Sequence, residues 1–349
     1  MNLVKKIYAK NLLTVLDYGA ESVIVLVAEK KENGRFQVVG AGDSAAQGVY
    51  RGEVTHLGDA AESIVEALKK AESSSGIKIE KLYYNFDNPH LESVFSCGSK
   101  LLEGEGEIRG ADIEEARKVA ERLAGDFEKN ILYSKEVQFI IDDHDEVLNP
   151  VGVFGKKLDV RVHILRAPSS QCDVWRGLMR RTQLSRCTPV LSAWSTAYGL
   201  LPKDDRIKNR LILDLGKDLW TTFVFYNGRI IRYQVKPADR GNSPAWVEPL
   251  VPLMKEFLSL DPGIEEVLIT GDRAHDPAIL NHCGDRISAP YRIASPAGIA
   301  KLDYPRYASV AGLLSVADEI ESKMPMLRAE RGIFLNVKQK AQALINEYF

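Results

Sequence analysis

The chain has 349 residues, 45% of them hydrophobic and 27% charged, with a formal net charge of −2. This is ordinary globular composition with room for two or three domains, and it offers no global attraction for nucleic acid or anionic lipid. No stretch approaches the roughly 18 consecutive apolar residues of a membrane-crossing helix, and the start of the chain (Lys5, Lys6, Lys10) lacks the apolar run and cleavage site of a signal peptide.

The four cysteines, Cys97, Cys172, Cys187 and Cys283, lie far apart and form no CxxC pair. They read as thiols of a reducing, cytosolic setting, and no metal site is expected. In chain order, Leu12–Leu16 and Val23–Ala28 are apolar, partly β-branched runs, and Arg35–Gly42 follows the Asn33-Gly34 turn. They read as three strands, and Asn-Gly between the last two is a strong hairpin signal. Asp59–Ser73 has the spacing of an amphipathic helix, with Asp59 and Glu62 resembling a capping box. Leu82–Phe86 and Leu91–Cys97 read as strands, Glu103–Gly110 as a turn, and Asp112–Phe127 as a helix. Val137–Ile141 and Leu158–Leu165 read as further strands, giving a small α+β insertion. Asp173–Arg181 reads as a helix, and Thr188-Pro189 as the cap and first turn of another that runs to Tyr198. Leu211–Leu215, Trp220–Tyr226 and Arg229–Val235 repeat the opening strand pattern. Pro249–Leu260 is then a helix, Val267–Thr270 a strand, and Tyr307–Ile320 a last core helix.

Each strand triplet opens on an aspartate at a strand end followed by a glycine: Leu16-Asp17-Tyr18-Gly19 and Leu213-Asp214-Leu215-Gly216. Paired Asp-x-Gly turns facing across a cleft suit a nucleotide. Aspartates hold magnesium through water, and glycines let backbone N–H groups approach phosphate. One such turn alone is an ordinary hairpin; two in matching places point to a shared cleft.

These turns and the block order resemble the actin-like superfamily, and within it the bacterial division protein FtsA. Gly48–Val54 resembles that family's stretch before the first helix. Asn149-Pro150-Val151-Gly152 with Leu158–Leu165 resembles the segment closing its extra domain. Thr188–Ala197 resembles its connecting helix, Gly241-Asn242 a turn after the third strand, Val267–Gly271 its adenosine-loop strand, and Ser309–Leu314 its last core helix. The resemblance implies an α/β, actin-like (ribonuclease H-like) fold of duplicated lobes. Its expected parts are a first lobe over 1–78, an inserted small domain over 79–168, a shortened second lobe over 169–325 and a C-terminal amphipathic helix over 326–349. It also implies a vestigial nucleotide cleft at Asp17, Gly19, Asp214, Gly216, Thr221, Thr222 and Gly271.

The departures from the family pattern are chemical. Ala20 and Glu21 stand where FtsA-like ATP binders carry hydroxyls, and a carboxylate about 4 Å from a phosphate costs roughly 4 kcal/mol per charge pair at an effective dielectric near 20. Leu219 and Trp220 replace two threonines unless a two-residue shift brings in Thr221 and Thr222. Asp272 and Arg273 stand where glycines seat the nucleobase. The segment between Gly241-Asn242 and Val267 is too short for the family's fourth, helical subdomain. Residues 332–349 place Ile333, Phe334, Val337, Leu344, Ile345, Tyr348 and Phe349 at helical spacing with Lys338 and Lys340 outside them, resembling the membrane-targeting helix that ends FtsA. The resulting expectation is a division or envelope adaptor at the cytoplasmic face of the inner membrane. Its partner would be an FtsZ-like tubulin homologue or another envelope protein, with self-association open, no catalytic residues and no cofactor. The alternatives are an ATP- and magnesium-binding actin-like protein or slow ATPase, and a PilM-type pilus or secretion scaffold.

Overall fold

The computed structural model describes residues 12–238, 244–296, 299 and 302–322. The first lobe opens with β1 (Leu12–Tyr18), β2 (Ser22–Lys30) and β3 (Phe36–Ala45), paired antiparallel in sequence. Two short strands, β4 (Val49–Tyr50) and β5 (Glu53–Val54), form a small hairpin whose tip, Arg51-Gly52, has positive φ at both residues. Helix α1 (Leu57–Ser75) follows. It starts before Asp59, with His56 at the N-cap and no side-chain cap, so the expected capping box is not formed. Strand β6 (Lys81–Phe86) then returns to pair parallel with β1.

An inserted module comes next: β7 (Glu92–Glu107), α2 (Gly110–Leu123), β8 (Lys129–Ile141), β9 (Asp145–Val147) and β10 (Phe154–Pro168). Its sheet has the order β7-β10-β8-β9 with α2 packed on it. The Glu- and Gly-rich segment expected as a turn from residue 103 is largely strand, because β10 supplies backbone partners as far as Glu107. Helix α3 (Ser169–Arg180) leads to β11 (Arg186–Leu191) and helix α4 (Ser192–Leu200). Thr188-Pro189 therefore lies in a strand and not at a helix start. β11 is the edge of its sheet, where a proline's missing N–H costs no ladder bond.

The second lobe holds β12 (Arg210–Leu215), β13 (Leu219–Tyr226), β14 (Arg229–Pro237), α5 (Leu250–Leu260), β15 (Glu266–Thr270), α6 (Pro277–Cys283) and β16 (Tyr291–Ile293). A final helix, α7, covers residues 308–322. Between β14 and β15 the described residues hold only a 3-10 turn, Pro244–Val247, and α5.

The two large sheets repeat one plan. Their orders are β11-β6-β1-β2-β3 and β16-β15-β12-β13-β14, each with an antiparallel triplet flanked by two parallel strands. In the first sheet Val23, Val25 and Val27 face the core under α1, and Leu26 and Ala28 face the core under α7. Burial on both faces is why β2 reads as a continuous apolar run instead of an alternating one. Unit boundaries follow the sheets. β6, α3 and β11 pack with the first lobe, so the inserted module occupies about residues 92–168 and segments on either side of it, expected in the module (β6) or in the second lobe (α3, β11), lie with the first sheet. The tail over 332–349 (with Ile333, Phe334, Val337, Lys338, Lys340, Leu344, Ile345, Tyr348 and Phe349) and Gly241-Asn242 lie outside the described residues.

Candidate functional site

A cleft opens where the strand ends of the two lobes face each other. It is lined by Asp17 near the end of β1 and Gly19 after it, Asp87 after β6, Asp214 near the end of β12 and Gly216 after it, and Asp272 after β15, with Trp175, Arg306 and Ser309 among its walls. The duplication explains the carboxylates. Leu16 pairs with Tyr84 and Leu213 with Ile269, and three residues beyond each partner stand Asp87 and Asp272. One fold plan used twice thus delivers four aspartates to one place.

Their environments differ. Asp17 accepts from Asn85 Nδ2 and Ser309 Oγ, both at 2.9 Å. Burial raises its pKa from the ordinary carboxylate range, and those two bonds offset part of the rise. Asp214 accepts one bond, from Thr196 Oγ1 at 2.9 Å. Burial, reinforced by the neighbouring aspartates, pushes Asp214 up to about 7. Asp87 takes Thr221 Oγ1 at 2.9 Å and Tyr233 Oη at 3.2 Å, both from the second lobe, and burial raises it to about 6. Asp272 is raised by burial against the pull of Arg306 and Lys217. Four clustered aspartates, already raising one another's pKa, are a poor host for further negative charge unless a cation stands between.

The lobes are tied across this cleft by the chain's own groups. Lys217 Nζ lies 2.5 Å from Glu21 Oε1, joining the two Asp-x-Gly turns at the mouth. Arg51 N–H donates to Asp218 Oδ2 at 3.4 Å, and its guanidinium donates to Ala238 O at 3.1 Å. The Asp87 bonds to Thr221 and Tyr233 complete the closure.

Asp17, Gly19, Asp214, Gly216, Thr221 and Gly271 all line the cleft. Thr222 does not. Strand alternation turns it into the core, 1% exposed, where its hydroxyl has no partner among the described residues. The turn glycines are required by the hairpins themselves. Gly19 N–H is already spent on Ser22 O at 2.9 Å. A Cβ at Gly19 would stand 3.1 Å from Ser22 O, and one at Gly216 2.8 Å from Leu219 O. Gly271, at φ 96°, lets β15 pass Asp214, since a Cβ there would meet its Oδ1 at 2.5 Å. Arg273 is not among the residues lining the cleft, and its guanidinium lies 4.9 Å from the centre of the Trp246 ring. Trp220 is likewise core, edge-on to Trp246, while Leu219 lines the cleft. Asn85, Asp87, Thr196, Arg306 and Ser309 escaped the sequence reading. Register-matched strand ends would have found Asp87, but nothing local marks the others.

A magnesium nucleotide is the group an actin-like cleft implies, and in this form the cleft is narrow and bridged. The cavity volume is about 140 Å³, against the roughly 300 Å³ at which ligand pockets begin. The first turn's glycine N–H is engaged, and Glu21 and Lys217 bridge the mouth. Among the described residues no three His, Cys, Asp or Glu side chains are grouped to hold a metal ion.

Comparison with known proteins agrees with this plan. A family model described as the SHS2 domain inserted in FTSA matches residues 89–166, the inserted module. Cell division protein FtsA of Pseudomonas aeruginosa is 26% identical over 222 residues, 64% of this chain and 53% of that one. FtsA of Escherichia coli K12 is 22% identical over 228 residues, 65% and 54% of the two chains. The chain thus spans about half the length of the curated relatives it matches. Among solved structures, PilM in the PilM-PilN type IV pilus biogenesis complex superposes with a TM-score of 0.64 at 14% identity, covering 87% of this chain and 98% of that one. MreB5 of Spiroplasma citri bound to ADP gives 0.50 at 9% identity, covering 89% and 98%. Fold and cleft therefore define an actin-like α/β protein with duplicated lobes. Within that class the chain is FtsA-like, on the sequence matches and the inserted module together.

Proposed function

We propose that the chain is an FtsA-like adaptor of cell division or the cell envelope that acts by binding and not by ATP hydrolysis. The observation that carries this reading is the cleft closed by its own cross-lobe bonds. A nucleotide engine needs a preorganised, water-excluding phosphate site, and here those positions are spent on internal contacts. The inserted module supplies the contact surface, with Leu101, Phe127, Leu148, Val151 and Phe154 exposed. An FtsZ-like filament is the proposed partner, the cytoplasmic face of the inner membrane the proposed place, and the apolar tail over 332–349 the proposed attachment.

The test is co-sedimentation with FtsZ polymers, with and without magnesium ATP, beside calorimetry at millimolar ATP. The expected result is nucleotide-independent co-sedimentation and no heat of ATP binding. Saturable ATP binding would support the actin-like ATP binder instead. Deleting 332–349 is expected to abolish partition onto anionic liposomes, and unchanged partition would remove the membrane role of the tail. One observation favours a second reading, a PilM-like pilus or secretion scaffold: PilM superposes with a TM-score of 0.64, against 0.50 for MreB5. Failure to bind FtsZ, with capture of a pilus-assembly membrane protein, would select it.

A further inference from the structure

The inserted module is chained to the first lobe but hydrogen-bonded to the second. The chain enters it from β6 and leaves it into α3, both first-lobe elements. Two of its buried side chains nevertheless grip the backbone of Ile230 in β14. Ile230 N–H donates to Tyr133 Oη at 2.6 Å, and Ile230 O lies 2.7 Å from His163 Nδ1. A carbonyl only accepts, so Nδ1 carries the proton. Nε2 then accepts from Ser93 Oγ at 2.8 Å. Burial pushes His163 down to about 4, which keeps the ring neutral and this tautomer in place. β14 is the edge strand of its sheet, so main-chain groups that it points outward have no strand to pair with and are costly to bury unpaired.

The contact is wider than two bonds. The Tyr133 ring meets Trp194 of the interlobe helix α4 edge-on at 6.0 Å, and the Arg229 guanidinium lies 5.7 Å from the Phe139 ring centre. Tyr133 thus sits where the module, α4 and the second lobe meet. Three residues along β14 from Ile230, Tyr233 donates to Asp87 in the cleft. A single strand therefore carries the module's grip at one point and a cleft-closing bond at another.

We propose that the inserted module is an interlobe clamp: the cleft opens only when Tyr133 and His163 release Ile230, so a partner that binds the module sets the state of the cleft. The lobes cannot swing apart about α4 while a body anchored to one holds the main chain of the other. By linkage the effect runs both ways, and a cleft held open would weaken the module's hold on β14. The clamp does not depend on whether the cleft takes a nucleotide.

Hydrogen exchange of the full chain tests it. Tyr133→Phe leaves the Ile230 N–H without its acceptor. It is expected to speed exchange by roughly ten-fold at residues 228–232 and also at the cleft elements 49–54 and 219–222, with α1 unchanged. Faster exchange confined to 129–135 and 228–232 would overturn the clamp, as would uniform loosening that includes α1. Tyr233→Phe cuts the cleft end of the same strand and carries the test should the first variant fold poorly. It is expected to loosen residues 129–135 as well as the cleft, and unchanged protection at 129–135 would equally overturn the proposal.

Discussion

Asp214→Asn is expected to stabilise the protein, by on the order of 2–4 kcal/mol at pH 8, and to flatten its pH dependence between about pH 4 and 7. The folded state holds this carboxyl near 7, whereas the ordinary value is 3.8. Between those values the folded chain keeps a proton that the unfolded chain has lost, so stability falls as pH rises through the window and the penalty is complete above it. Asparagine is close in shape, retains an acceptor for Thr196 and carries no charge. Urea midpoints at pH 5 and pH 8 check this: the wild-type chain should lose stability over that interval and the variant should lose much less. A variant no more stable than wild type at pH 8 would mean that Asp214 is stabilised as the carboxylate.

Gly312→Ala is expected to cost about 3 kcal/mol or more. Helices α4 and α7 cross with their backbones in contact. A Cβ at Gly312 would lie 1.8 Å from Ser195 O, and one at Gly199 2.0 Å from Ala308 O. No rotamer change relieves a clash with a carbonyl, so the helices must part. The crossing also positions two cleft donors, since Thr196 on α4 holds Asp214 and Ser309 on α7 holds Asp17. The variant should therefore lose both stability and the cleft's bonding together. Gly177→Ala, in the middle of α3 with nothing within 4 Å of the new Cβ, is the control and should stabilise by up to about 1 kcal/mol through helix propensity. Equal urea midpoints for the two variants would refute the close crossing.

The same crossing shows why part of the site was invisible in the sequence. Ser309 lies 292 positions from the aspartate it holds, and Tyr233 lies 146 from Asp87. No local spacing encodes such pairs. Thr196 is only 18 residues from Asp214, but it sits in a helix expected to begin at Thr188-Pro189, three or four residues too early. Pro189 was the misleading signal: proline at a helix start and proline in an edge strand satisfy the same local rule, and only the neighbour β6 decides between them. The strand from Glu92 to Glu107 was cut short for a related reason. Its glycines and glutamates have low strand propensity, and β10 overrides that by pairing with it up to Leu101 and, past an irregularity, again at Gly106 and Glu107.

What the sequence by itself determined is what local pattern can carry. It set the strand triplets after Leu12 and Leu211, the paired aspartate turns, two amphipathic helices read at 59–73 and 112–127 and found at 57–75 and 110–123, and the presence of a small inserted α+β module. Periodicity and turn chemistry act within a few residues, and each of these features is local. Only the tertiary structure decided that β6 and β11 complete the first sheet, that Thr222 turns inward while Thr221 meets Asp87, and that Arg273 leaves the cleft for Trp246. It also decided that Glu21, which the sequence marks as hostile to phosphate, is met by Lys217 from the opposite turn. Those outcomes depend on which lobe edge faces which. A folded chain settles that by burying both faces of two sheets at once, and no window of the sequence contains it.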